Sequence, residues 1–142
     1  MKITRVDLYQ VEVPLIPAIA RYTPKIYDIT LCRVRTDEGL EGIGESAVYA
    51  LSPEGRAALE SKAASYIGKD PLALDPFAEP GLFECALLDI AGQAHGLPVH
   101  RFFGPKVRDR VPVSYWSVPM EPKDTAAEAE KGASMGFANH KL

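Results

Sequence analysis

The residue best placed to do chemistry in this 142-residue chain is Lys141, in the closing run Phe137, Ala138, Asn139, His140, Lys141, Leu142. Gly136 stands where a helix closes on a left-handed residue, and residues 137–142 have strand length. In a strand, Lys141 and the residue two places on share a face, and the chain stops at Leu142, before that position. The lysine is therefore a site, half a site, or part of an ordinary surface strand. The other reactive types converge less. His95 ends a helix and His100 lies in a loop, and neither has metal-ligand spacing with the other or with a cysteine. His140 reads as a buried neutral histidine. Asp37, Glu38, Glu41 and Glu45 form an acidic hairpin that reads as a solvated face, because nothing directs these carboxylates onto one point. Cys32 and Cys85 sit in apolar periodic segments and read as buried free thiols of a reducing compartment.

The elements that must position these residues follow from pattern. Residues 3–13 alternate as a strand, with Val6 and Leu8 on one parity and Val11 and Val13 on the other, which predicts a bulge near Tyr9. Residues 15–28 hold Pro17 and Pro24 and read as a long loop. Strands are predicted at 29–36 and 41–48, joined by the turn Asp37-Glu38-Gly39. Gly42 and Gly44 share a parity, leaving one face thin enough for another backbone to approach. These three runs make an antiparallel meander. Ser52-Pro53-Glu54 opens a helix to Ile67, with Leu59, Ala63, Tyr66 and Ile67 on one stripe. After a proline-rich connector at 69–81, a second helix spans 82–95 with a broad apolar face, closed by Gly96 and Pro98. The character then changes. Residues 110–117 read as a strand, 126–135 as a helix capped by Asp124 or Thr125, and 137–142 as another strand. Strand, helix, strand is a βαβ unit with parallel strands.

Composition narrows the function classes. Apolar residues make up 46% and charged residues 25%, with a net charge of −3 and sixteen Lys and Arg spread without a block. That is the balance of a folded soluble protein, with no basic face for nucleic acid. Lys2, Arg5, Asp7 and Gln10 interrupt any signal-like run, and no membrane span is present, so a cytoplasmic setting is expected. One βαβ unit cannot cover both faces of its own strands, which points to a larger parallel domain than these residues supply.

Four stretches carry a family likeness: Lys2-Ile3-Thr4-Arg5-Val6, the hairpin at 34–46 (VRTDEGLEGIGES), the helix at 83–99 (FECALLDIAGQAHGLPV), and the end at 136–142. In this order they make the chain resemble the N-terminal part of the mandelate racemase and muconate lactonizing enzyme group of the enolase superfamily. The resemblance implies an α+β capping domain over 1–108, a three-stranded antiparallel meander plus helices. It implies that 109–142 are the first strand, helix and second strand of a (β/α)8-type barrel that is incomplete in this chain. Barrel enzymes react at the C-terminal ends of their strands. By position, residues 16–28 and 47–51 match the two specificity loops, where Arg21, Tyr22 and Tyr49 are side chains able to grip a carboxylate or a ring.

The family's chemistry is removal of a proton next to a carboxylate, ending in racemisation, dehydration or cycloisomerisation. Such a carbon acid is too weak for a side-chain base unless Mg²⁺ stabilises the developing charge. The second barrel strand usually ends in Lys-x-Lys. By the match, Lys141 is the first lysine, with the auxiliary role of depressing the second one's pKa by like charge. The base itself would follow Leu142, and the metal-binding carboxylates belong to later strands. The resemblance thus implies a small carboxylate substrate and Mg²⁺ for the complete enzyme, with no metal bound by this chain alone. It implies a homo-oligomer or a missing C-terminal barrel, and no nucleic-acid or membrane partner. Two departures stand out: the connector at 69–81 is shorter than the family's, implying a missing cap helix, and His140 replaces a usual apolar residue. The expectation for the isolated chain is no activity. The alternatives are a non-catalytic cap-like module that pairs through its exposed last strand, and a nonfunctional truncated product.

Overall fold

The computed structural model of the chain describes residues 1–23, 27–46, 52–79 and 81–142. In order the elements are β1 (Ile3–Val13), α1 (Pro17–Ala20), β2 (Tyr27–Thr36), β3 (Glu41–Ser46), α2 (Pro53–Ala64), α3 (Gly81–His95), β4 (Tyr115–Trp116), α4 (Pro122–Ser134) and β5 (His140–Lys141). They belong to two compact units, one of Met1–Val13 with Tyr27–Lys106 and the other of Pro14–Ile26 with Val107–Leu142.

The first unit is the expected meander, an antiparallel sheet in the order β1-β2-β3. Period-two alternation puts Thr30, Cys32, Val34 and Thr36 of β2 on its buried face. On β1 the bulge lies at Thr4, not near Tyr9: Ile3 pairs with Thr36 and Arg5 with Arg35, and pairing then runs unbroken to Val13 opposite Tyr27. The extra residue flips parity, so odd-numbered Ile3 and even-numbered Val6 and Leu8 reach the same core. Val11 and Val13 need no second flip, because they share the outer face with Tyr9, where Val13 stays exposed.

α2 starts as its sequence dictates. The Ser52 hydroxyl accepts the Gly55 N–H at 3.1 Å, and Pro53 takes the first position, where a missing N–H costs nothing. The helix stops at Ala64 instead of Ile67, because the chain turns to bond with β1. Gly68 adopts φ +81° and donates to the Ile3 carbonyl at 2.8 Å, while Ile3 donates to the Lys69 carbonyl at 2.8 Å. That turn buries Tyr66 against Phe83, ring centroids 5.0 Å apart, and leaves Ile67 outside. The connector that follows is ordered by two one-turn helices, Pro71–Ala73 and Pro76–Ala78, each opened by an aspartate. Asp70 accepts from the Leu72 N–H at 3.0 Å and Asp75 from the Phe77 N–H at 3.1 Å.

α3 supplies most of the core through Leu82, Phe83, Ala86, Leu87 and Ile90. It lies directly on β3 at the two glycines. A Cβ at Gly42 would strike the Ala86 carbonyl oxygen and come within 2.8 Å of Ile90 Cγ1, and one at Gly44 would strike the Leu82 carbonyl oxygen. α3 also serves the edge of β3, where Asp89 accepts the Ile43 N–H at 3.1 Å and Gln93 Nε2 donates to the Glu41 carbonyl at 2.6 Å. Three carboxylates of the acidic hairpin pair locally. Glu41 binds both Arg33 and Arg35, Asp37 accepts the Lys2 N–H at 2.7 Å, and Glu38 meets the chain's amino group at 2.9 Å. Cys32 is buried as expected, and burial pushes its thiol up to about 12. Cys85 is exposed, contrary to expectation, because it lies off the Leu82-Phe83-Ala86-Ile90 stripe.

In the second unit β4 and β5 are parallel, Tyr115 opposite His140 and Trp116 opposite Lys141. Both strands are shorter than predicted. Their pairing extends only from the Tyr115 N–H on the Asn139 carbonyl to the Ser117 N–H on the Lys141 carbonyl, so Val111 and Val113 remain unpaired and exposed. α4 begins four residues earlier than predicted, with Pro122 at its first position and Glu121 as the residue before it, and no side chain caps it. It packs on Tyr115 through Gly132, where a Cβ would lie 2.8 Å from the ring. It closes as predicted on Gly136, at φ +88°.

Two measurements check this packing. Gly44→Ala should cost about 2–4 kcal/mol in urea unfolding, because the obstacle is helix backbone that cannot repack. Gly81→Ala, with nothing within 4 Å of the added carbon, should stay within about 0.5 kcal/mol of the parent. A thiol reagent at about pH 8 should label Cys85 at least about 100-fold faster than Cys32, and unfolding should equalise the two.

Candidate functional site

The candidate residues of the second unit are built up from a short coil. Pro17 fixes the first helical position of α1, and the N–H groups of Ile19 and Ala20 bond the Ile16 carbonyl at 2.9 Å. Tyr22 and Thr23 return their N–H groups to the Ile19 carbonyl at 2.9 and 3.0 Å, so residues 16–23 form one internally bonded turn with Ile19 buried. From this turn Arg21 Nη1 donates to Asp124 Oδ2 at 3.2 Å, and the Tyr22 hydroxyl donates to the same oxygen. The bond to the carboxylate raises the Tyr22 phenol above the ordinary tyrosine range, with desolvation adding to it. The Tyr22 hydroxyl, and then the Arg21 charge, hold the Asp124 carboxyl below the usual aspartate value. Arg21 is 68% exposed and Asp124 31%, so solvent screens the ionic part.

The sequence offers Asp124 or Thr125 as the cap of α4, but neither caps it, and nothing in the local pattern points to the bonds that Asp124 makes to Arg21 and Tyr22. The signal against a cap is Pro122: proline favours the first helical position, which makes the preceding residue the cap and puts Asp124 in the first turn. Tyr49 lies outside the described residues, as does the rest of the expected loop at 47–51.

The βαβ unit has two faces. On the α4 side, the Tyr115 hydroxyl donates to Glu128, its ring lies 5.4 Å from the His140 ring, and Ser117 Oγ is 2.7 Å from His140 Nε2. Ser117 is fully buried, so His140 partners a buried hydroxyl at the place where an apolar residue was expected. Register puts Trp116 and Lys141 together on the opposite face, with Lys141 at the C-terminal end of β5. Among the described residues, no group of three His, Cys, Asp or Glu is placed to hold a metal ion. Among the same residues, no helix is long and apolar enough to cross a membrane.

Comparison with known proteins gives this arrangement its context. No family model matches the chain. It is 29% identical to a cis-3-hydroxy-L-proline dehydratase from Roseibium aggregatum over 170 residues, covering 100% of this chain and 45% of that protein. It is 33% identical to muconate cycloisomerase 1 from Pseudomonas putida over 132 residues, covering 79% of this chain and 35% of that one. A mandelate racemase/muconate lactonizing enzyme structure from Roseovarius nubinhibens ISM, complexed with magnesium, matches at TM-score 0.81 and 30% identity, over 99% of this chain and 43% of that one. In sequence and fold the chain is similar to the N-terminal part of mandelate racemase and muconate lactonizing enzymes of the enolase superfamily. Its sheet and helices are that superfamily's capping architecture, and its parallel βαβ segment is the start of the barrel. The chain spans between a third and a half of the curated relatives' length, 35% to 45% for the two above.

The Tyr22–Asp124 bond has a direct optical test. The difference in 295 nm titration between the parent and Tyr22→Phe isolates the Tyr22 phenol, which should ionise above the ordinary tyrosine value. In an Asp124→Asn background the same difference should fall back to that value, since the charge holding the proton is gone.

Proposed function

We propose that this chain supplies the capping unit and the first strand, helix and strand of a Mg²⁺-dependent enzyme that removes the proton next to a substrate carboxylate. The outcome would be racemisation, dehydration or cycloisomerisation, and the 142-residue chain alone would be inactive. The observation that carries this reading is the place of Lys141, at the C-terminal end of β5 on the face turned away from α4. A lysine two residues further on would share that face, and the like charge of Lys141 would lower its pKa toward that of a working base. Lys141 is thus auxiliary. Arg21, Tyr22 and Tyr49 are the residues proposed to meet the substrate, and the names of the relatives favour a small carboxylate such as a hydroxyproline or a muconate. The two free cysteines support a cytoplasmic setting.

The test is to express the gene's full open reading frame and follow loss of the α-proton signal in D₂O by NMR over a panel of acid sugars, hydroxyprolines, dipeptides and muconolactones. Exchange of at least one of them should require Mg²⁺ and stop with EDTA, and Lys141→Ala should slow it by about 100-fold. For the 142-residue chain itself, calorimetric titration with MgCl₂ should show no stoichiometric micromolar site. Such a site, or a reading frame that closes after Leu142 on a monodisperse folded product, would overturn the reading.

A further inference from the structure

We infer that Asp124 is a positioning residue, which fixes the Arg21–Tyr22 end of the 16–23 turn against the start of α4. The two sides of this contact are 102 residues apart in sequence, so local geometry did not bring them together. Two donors of different chemistry, a guanidinium and a phenol, converge on the single oxygen Oδ2. Asp124 is available for them because α4 does not use it. The N–H groups of Asp124 and Thr125 already bond the Glu121 carbonyl at 2.9 and 3.0 Å, and the carboxylate caps nothing. The turn is also built to be held at one point. Its bonds through Ile16 and Ile19 make residues 16–23 one body, so fixing Tyr22 fixes Arg21 with it. A negative charge in the first turn of a helix is favourable in its own right, so the carboxylate is stable in this place even while its donors come from outside the helix.

The functional half of this inference rests on the proposed reading of Arg21 and Tyr22 as residues that meet a substrate carboxylate. On that reading, Asp124 touches no substrate and acts through the two side chains that do. Its loss would leave the turn free to move away and would weaken binding, while the proton-transfer groups on the strand ends would be unaffected.

The structural half can be tested on the 142-residue chain without any activity. Trypsin cuts after Arg21, and the rate at that bond reads how often the turn opens. Asp124→Asn and Tyr22→Phe should each speed that cut by about three- to tenfold. The double variant should be no faster than Asp124→Asn alone, and cuts within residues 52–106 should keep their rates. Asp124→Glu should restore part of the protection. If Asp124→Asn is fast while Tyr22→Phe cuts at the parent rate, Asp124 serves only the helix end and the inference falls. Parent rates for both variants overturn it as well. In the complete enzyme, Asp124→Asn should raise KM about tenfold with kcat within about twofold, and a fall in kcat at constant KM would overturn the positioning role. A complete enzyme with no activity, alongside accelerated cleavage in both variants, would sink the proposed function and leave the anchor standing.

Discussion

The first unit depends on one contact, the seating of α3 on β3 at Gly42 and Gly44. A helix normally rests on a sheet through a layer of side chains. Here the layer is missing from one strand, and the carbonyl oxygens of Leu82 and Ala86 fill the space a Cβ would need. Because the backbones are so close, Phe83 and Ile90 share one core cluster with Cys32, Val34 and Ile3, which Ala63 and Tyr66 complete from the side of α2. The same closeness lets short polar side chains on α3 reach the strand's backbone. Bulk thus comes from β1, β2, α3 and Tyr66, and β3 contributes almost none.

The second unit is held by a different kind of force. Beside the packing of the Tyr115 ring on Gly132, Phe137 and His140, α4 is tied by polar pairs, Tyr115 on Glu128 and Arg21 and Tyr22 on Asp124, and Ser117 pairs with His140 next to it. Such contacts add little net stability unless they are shielded from water, yet they fix orientation well. Gly132 gives the Tyr115 ring a flat place to lie, and the neighbouring hydroxyl and imidazole then have only a few ways to pair. A unit of this kind is specified more by geometry than by burial.

The meander is legible because β-alternation, turn glycine and the helix signals at Ser52-Pro53 and Gly96-Pro98 all agree, and the paired glycines of β3 mark the close approach of α3. Parity counting failed on β1 because one extra residue at Thr4 resets it, and no residue type marks the spot. Cys85 is exposed although its sequence neighbours are apolar, because an apolar neighbourhood does not say which side of a helix faces inward. The start of α4 was misplaced because Asp124 looked like a cap, although the stricter signal of Pro122 lay two residues earlier. Lys141 was found as a strand residue, while the partner of Arg21 and Tyr22 was not. A contact across 102 residues leaves no local pattern, and two donors choose an acceptor only once the backbone has brought it near.

The hydrogen bonds that α3 makes to β3 bear on how the sheet can grow. An edge strand usually offers a row of bare amides and carbonyls that a strand from another molecule can copy. On β3 the Ile43 amide is taken by Asp89 and the Glu41 carbonyl by Gln93, and at the other margin Ile3 is stitched through both its amide and its carbonyl to Lys69 and Gly68. These are the two corners at one end of the meander, since Ile3 pairs with Thr36 and Glu41 with Arg35, and each is closed by the chain's own helix or turn. At that end a visiting strand would have to break internal bonds before making its own, so the chain itself limits where the sheet can be extended.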